Sequence, residues 1–351
     1  VAITRACYAS VGDLRAASDV RTTAYLRRQL ERAVETGSQA VDDLLNRTFY
    51  PQTRTIKFDW PDWRQGTSYR LWLEEYELVS ITSLTVAGTA LTEGTDYILR
   101  PAEGPPYDRI EILLSGTASF TAGDTWQESI VIVGDTGYDD RTTIAATSAE
   151  ALDATETGID VGACPDLDAG DLITIGSERM IITSRSLLDS GVNTAGALTA
   201  ALSDSSVSVG DGTAFAEGET ITIDSERILI LDIAGNTLLV QRAVDGSVLA
   251  THTTATDIYA PRTLNVTRGA LGSTAATHDT ASPVLRQAYP SLVRALALAE
   301  AQNILMQERS AYARTVGSGE GERNASGAGL AALRKKAEDS DLYRSRGPWV
   351  V

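Results

Sequence analysis

The residues best suited to chemistry are two histidines, two glutamates and two arginines that recur in matching places. His252 and His278 are the chain's two histidines, and both stand in Ala-Thr-His. Glu178 and Glu226 both stand in Ser-Glu-Arg, and an arginine precedes each histidine by ten residues, Arg242 before His252 and Arg268 before His278. Two carboxylates could divide general acid and base work between them, and a histidine could relay the proton. That chemistry needs the two members of a pair to sit in different environments, whereas these are copies in identical contexts. Their repetition therefore favours structural ion pairs for the glutamates and arginines, and turn-stabilising roles for His252 and His278. No HExxH, GxSxG, Walker A loop or strand-linked GxGxxG is present, and Cys7 and Cys164 form no CxxC or Cys/His cluster. No cofactor or metal is expected, and an acid-dyad hydrolase is the weakest of the alternative readings.

The copies belong to an internal repeat. Residues 157–182 align without gaps with 205–230, and 237–259 align with 263–285. Each unit reads as a small β module with apolar residues alternating along its strands and glycine at its turns. The second unit is complete, because its Ser-Glu-Arg strand is followed by LLVQR. The first lacks that continuation and finds it only in TLNVTRGALGSTAATH, after the second has closed. The economical arrangement is nested, with the second module (about 205–260) inserted in the first, pairing Glu178 with Arg268 and Glu226 with Arg242. A tandem array with a degenerate first half is the alternative. If the pairs are exposed, Glu178→Ala should cost little, about 0 to 1 kcal/mol.

The flanking elements are of another kind. At 351 residues, 43% hydrophobic and 22% charged, the chain has the composition of a folded protein of two or three domains. Its net charge of −17 is concentrated: between Asp139 and Ala260 there are 20 Asp and Glu against 5 Arg and no Lys. That block is expected to be a separable, solvated module whose ends lie close together, dispensable for the rest. No apolar run reaches the ~20 residues of a membrane span and the first residues lack a signal peptide's apolar core, so neither a membrane nor that export route is expected.

Residues 1–50 predict a short helix capped by Ser10 and a longer one capped by Ser18 or Asp19, with Leu26, Leu30, Val34, Val41 and Leu45 on one stripe. Gly37 within it reads as a tolerated surface glycine rather than a close crossing. Residues 51–138 read as an antiparallel β domain. Its aromatic stretch, Trp60, Trp63, Tyr69 and Trp72 beside Arg64 and Arg70, could stack single-stranded nucleic acid, but aromatics in short strands more often fill a core or a subunit interface. Residues 289–316 predict one helix opened by Pro290, buried deeply only in its first half. The run 317–329 reads as a flexible linker, followed by a short amphipathic helix and an apolar end.

In order and spacing, LLNRTFYP at the end of a helix, then ELVSITSLTVAGTALTEGTDYIL, RIEILL, SIVIVGDTGYDD and YPSLVRALALAEAQNILMQERS, resemble the head-to-tail adaptor (head-tail connector) proteins of long-tailed DNA phages. The resemblance covers residues 1–138 and 289–351, and departs from the family where about 150 residues replace a short connection after Gly137-Tyr138. It implies an α+β fold: a helical pair or bundle with an antiparallel β domain, here with an inserted pair of small all-β modules at 139–288 and a flexible C-terminal arm at 317–351. It also implies a non-enzymatic subunit of a ring, dodecameric in the family, between the portal protein and the stopper or tail-completion protein. DNA would pass through its channel without sequence-specific binding. Such a protein belongs to the virion neck and assembles in the host cytoplasm. The arm residues Leu330, Leu333, Leu342, Tyr343, Trp349, Val350 and Val351 would dock on the portal, with Trp349 an anchor. A carbohydrate-binding tail protein or adhesin is the alternative that the β modules alone would suggest.

Overall fold

The computed structural model describes residues 3–18, 25–60, 69–121, 123–309, 315–316, 323–324 and 328–344. Among these residues the architecture is α+β, with four α-helices and large antiparallel sheets. Helix α1 spans Val11–Ser18 and α2 spans Arg27–Leu45. Ser18 is therefore the last residue of α1, and Asp19 lies outside the described residues. The backbone N–H of Leu26 donates to Gln29 Oε1 at 2.9 Å, so a glutamine reaching back serves where a capping serine was expected. Asn46, in the left-handed region at φ 50°, ends the helix.

Helix α3, Ser291–Arg309, packs against α2. Gly37 is the point of closest approach: a Cβ there would lie 2.8 Å from the Ala297 carbonyl oxygen and 2.9 Å from the Ala301 nitrogen. It is not the tolerated surface glycine that the sequence suggests. Only a residue without a side chain lets the backbones meet this closely. Burial in α3 also continues past its first half, through Val293, Leu296, Ala297, Ala301 and Leu305. Its buried Glu300 is neutralised by Arg334, which donates at 2.6 and 2.7 Å. The helix stops short of Val316, since β-branched Thr315 and Val316 form a two-residue strand against Arg323–Asn324.

The β domain has two sheets. Strands β1 (Gln52–Phe58), β3 (Leu78–Val86), β4 (Thr89–Leu91) and β7 (Ile130–Thr136) form one in the order β1-β7-β3-β4. Strands β2 (Arg70–Trp72), β5 (Tyr97–Arg100) and β6 (Arg109–Ile112) form the other in the order β2-β6-β5. Alternation along β7, IVIVGDT, buries Ile130 and Ile132 with Leu71, Leu78, Leu84 and Ile110 in a core of its own.

Ten strands follow in one sheet: β8 (Thr142–Thr147), β9 (Gly158–Asp160), β10 (Leu172–Ile175), β11 (Glu178–Asn193), β12 (Ser206–Ser208), β13 (Thr220–Ile223), β14 (Glu226–Ala234), β15 (Thr237–Gln241), β16 (Asp257–Thr267) and β17 (Pro283–Gln287). Two cores lie along it. One gathers Ile159, Val161, Leu167, Ile173, Met180 and Ile182 with Leu264, Val266 and Val284. The other gathers Val207, Ile221, Ile223, Ile228, Ile230, Leu238, Val240 and Ile258. Residues of 263–266 thus complete the core begun at 159, after the chain between has built another. Long strands β11 and β16, paired antiparallel from Ile181↔Thr267 to Asn193↔Asp257, serve both.

The block closes where it opens, with Gln287 opposite Thr142 and the Ala288 N–H donating to the Arg141 carbonyl at 2.8 Å. It is not held there alone. Ala169, Leu172, Ile181 and Ala270 are buried in the helical core, and Cys7 and Val11 donate to the carbonyls of Gly170 and Ala169 at 2.9 and 3.0 Å. Arg179 reaches Asp135 at 2.6 Å and Thr53 Oγ1 at 2.9 Å in the β domain. A freely separable block does not describe it. The final strands are β18 (Thr315–Val316) and β19 (Arg323–Asn324), and α4 (Ala328–Glu338) lies against α3 and α2.

Candidate functional site

The tight turn of the β10–β11 hairpin brings Glu178 inward, and the matching β13–β14 turn does the same for Glu226. Glu178 accepts from Arg268 Nε at 2.7 Å and Nη2 at 2.8 Å, from the N–H groups of Gly269 and Ala276 at 3.0 Å each, and faces His278 Nε2 at 2.9 Å. Glu226 repeats the set with Arg242 at 2.6 and 2.7 Å, Ala243 and Ala250 at 3.0 Å each, and His252 at 2.9 Å. Both arginines turn their remaining N–H groups to loop carbonyls, Arg268 to Asp153, Glu156 and Ala276, and Arg242 to Thr199, Asp204 and Ala250.

These carboxylates are fully enclosed, so the pairs are not the weak exposed kind. Burial by itself would push each carboxyl up. The arginine, the histidine and the two backbone donors overcome it and hold Glu178 and Glu226 down at about 2. A carboxylate that keeps its charge and has every lone pair occupied neither gives nor takes a proton near neutrality, and offers no open position to a ligand. The clusters are structural. Each binds the turn after its strand to the hairpin that carries its glutamate.

The histidines do more than brace a turn, since each completes the carboxylate's shell. They also differ. His252 Nδ1 lies 2.7 Å from Asp224 Oδ2, whereas the residue matching Asp224 in the other cluster is Gly176, next to the His278 ring. Each module holds a second buried pair that its sequence spacing does not announce. Asp171 accepts from Arg286 Nε at 2.8 Å, and Glu219 from Arg262 at 2.7 and 2.8 Å. The signal was present, because Asp171 and Glu219 align in the repeat. Their arginines do not, and that hid the correspondence.

Three of the C-terminal residues expected to form a docking arm lie against the chain's own helices. Leu330, Leu333 and Leu342 pack against the helical core, the Arg344 N–H donates to the Leu45 carbonyl at 3.0 Å, and Arg47 donates to the Asp341 carbonyl at 3.1 Å. The apolar stripe of α4 has found a partner within the molecule, which overturns the picture of a free arm for 330–344. Tyr343 remains 39% exposed, and Trp349, Val350 and Val351 lie outside the described residues. Of the aromatic stretch, Trp60 and Tyr69 pack on the β-domain core and Trp72 is 54% exposed. Trp63 and Arg64 are outside the described residues.

Both cysteines are buried and unpaired, and burial pushes the Cys7 thiol up to about 12, far from a nucleophile's range. A recess lined by Arg47, Arg54, Glu77 and Arg344 is occupied by its own charges, with Arg47 against Glu77 at 2.8 Å. Among the described residues, no group of three or more His, Cys, Asp and Glu could hold a metal ion, and no helix is long and apolar enough to cross a membrane. No protein-family model, no curated protein and no solved structure matches this chain.

Proposed function

We propose that the chain is a structural, non-enzymatic head-to-tail adaptor subunit of a long-tailed phage, forming a ring between portal and stopper around the DNA channel. In this reading the α2–α3 pair and the β domain build the ring wall, and residues 139–288 are an inserted pair of β modules. The observation that carries it is the closure of that insertion. The chain leaves after Tyr138 and returns before Tyr289 through hydrogen-bonded neighbours, Arg141 and Ala288. The β domain and α3 therefore stay neighbours across the insertion, which supports reading the flanking segments as one unit. The enclosed glutamates favour a structural role over catalysis. Portal contact is assigned to the end of the chain from Tyr343 onward, because Leu330, Leu333 and Leu342 are already covered.

Negative-stain imaging of the purified chain, alone and mixed with the portal protein encoded in the same genome, tests the proposal. Symmetric rings with an axial hole, stacked on portals, are the expected result. A monomer that leaves portals bare would overturn it.

A further inference from the structure

The two modules carry the same outer sheet face, and only one of those faces is covered. In the first, Leu172, Ile181 and Arg179 lie on the face that packs on the helices and reaches the β domain. The repeat places Thr220, Leu229 and Arg227 at the matching positions of the second module, none of them buried. Around them Leu231, Leu239 and Tyr259 are exposed at 50%, 46% and 36%. Acids outnumber the single Arg227 on this face: Asp232 lies opposite Leu239, Asp189 lies opposite Tyr259, Glu217 takes the place of buried Ala169, and Arg227 itself has Asp245 at 3.8 Å.

A surface of opposite character lies on the β2-β6-β5 sheet. Arg70 is opposite Glu111, and Trp72 is opposite Arg109, which in turn is opposite Arg100, so these residues share the face turned away from the β-domain core. Glu111 draws the three guanidinium groups together, at 3.0 Å from Arg70, 3.1 Å from Arg109 and 3.3 Å from Arg100. Arg109 sits over the exposed Trp72 ring at 5.1 Å. Tryptophan and arginine held in place before contact are the residue types that dominate binding energy at protein interfaces.

We infer that the outer face of the second module docks on the Trp72–arginine face of a neighbouring copy of this chain, making a head-to-tail contact. A heterologous contact needs two different and complementary patches on one molecule, and that is what this chain presents. Apolar Leu239 and Tyr259 meet Trp72, while Asp232 and Asp189 meet the arginines, as one sheet laid on another. Glu111 at the centre of the arginine group sets this face against a polyanion such as DNA. The inference rests on the ring reading and names the surfaces that would close the ring.

Sedimentation velocity on three full-length proteins tests it: wild type, R100E/R109E and D189R/D232R, each first checked for an unchanged circular dichroism spectrum and melting temperature. Wild type is expected to assemble, and each variant to weaken self-association at least tenfold. An equimolar mixture of the two variants should regain assembly, because the unaltered acidic face of one meets the unaltered arginine face of the other and the two reversed faces are again of opposite charge. W72A, which alters no charge, should also weaken assembly if R100E/R109E fails to fold. Wild type that stays monomeric at all concentrations overturns both the inference and the ring reading. Assembly that survives in the variants overturns the inference and leaves the ring reading standing. Loss of binding to a single-stranded oligonucleotide in R100E/R109E, with assembly intact, would assign the face to nucleic acid and overturn it equally.

Discussion

The first and second modules share a hairpin, a buried glutamate, its arginine and its histidine, yet one is stitched into the protein and the other stands clear. Inside, they are nearly interchangeable: Glu178 and Glu226 each make the same five contacts, to an arginine twice, to two backbone N–H groups and to a histidine, at almost the same distances. Outside, they are not. Buried Ala169, Leu172 and Ile181 correspond to Glu217, Thr220 and Leu229. The interior sets what the module is, and the outer face alone decides what it touches.

The strongest way to break this comparison is by deletion. Replacing 140–287 with a short Gly/Ser linker should leave an aggregating or unfolded protein, because Ala169, Leu172, Ile181 and Ala270 are part of the helical core. Replacing only 191–256, so that β11 turns directly into β16, should give a monodisperse protein with a cooperative melt. Equal tolerance of the two deletions by size-exclusion chromatography and calorimetry would remove the distinction between docked and free modules.

Next in size are the glutamates. Glu178→Ala and Glu226→Ala each strand a buried guanidinium and should cost about 3 to 5 kcal/mol in denaturant unfolding. Losses below about 1 kcal/mol would mean that the clusters contribute little.

A pH series sharpens the same point. Each glutamate is held at about 2 in the folded protein against an ordinary value of 4.5. Its contribution is therefore fully present above about pH 4.5 and is lost as pH falls toward 2. The gap in stability between wild type and Glu226→Gln should narrow steadily through that window in thermal melts, and a gap that stays constant would contradict the assignment.

The smallest effect concerns the one interior difference. Asp224→Asn removes the carboxylate beside His252 and should cost no more than about 1 kcal/mol, as suits an exposed partner. Gly176→Asp should gain less than that, because it supplies His278 with the same neighbour but puts a side chain at a left-handed backbone position. Position 176 has φ 59° and Asp224 itself sits at φ 53°, so the backbone there accepts aspartate.

Much of this was legible in the residues, for reasons that differ by element. The pairing of Glu178 with Arg268, and of Glu226 with Arg242, could be read because each hairpin glutamate needs the segment in which an arginine precedes a histidine by ten residues, and the first module meets none until the second is finished. The buried Asp171–Arg286 and Glu219–Arg262 pairs were not, since their arginines come from non-equivalent positions of β17 and β16. Gly37 was misjudged because one glycine in a helix looks the same whether it faces water or another backbone, and only the position of Ala297 separates the two. The C-terminal leucines were misjudged similarly. An amphipathic stripe states that it must be covered and is silent about by whom.

The sharing of β11 and β16 between modules has a consequence for synthesis. Glu178 waits 90 residues for Arg268, while Glu226 waits only 16 for Arg242. Closing the longer separation as a bare loop would cost about 1.5 kcal/mol more in chain entropy, a cost that falls away once the inner module has formed and holds β11 beside β16. α2, made early, likewise meets α3 only after both modules have left the ribosome. The chain is therefore built as three enclosures that close from the inside outward, against the usual N-to-C order of domain folding.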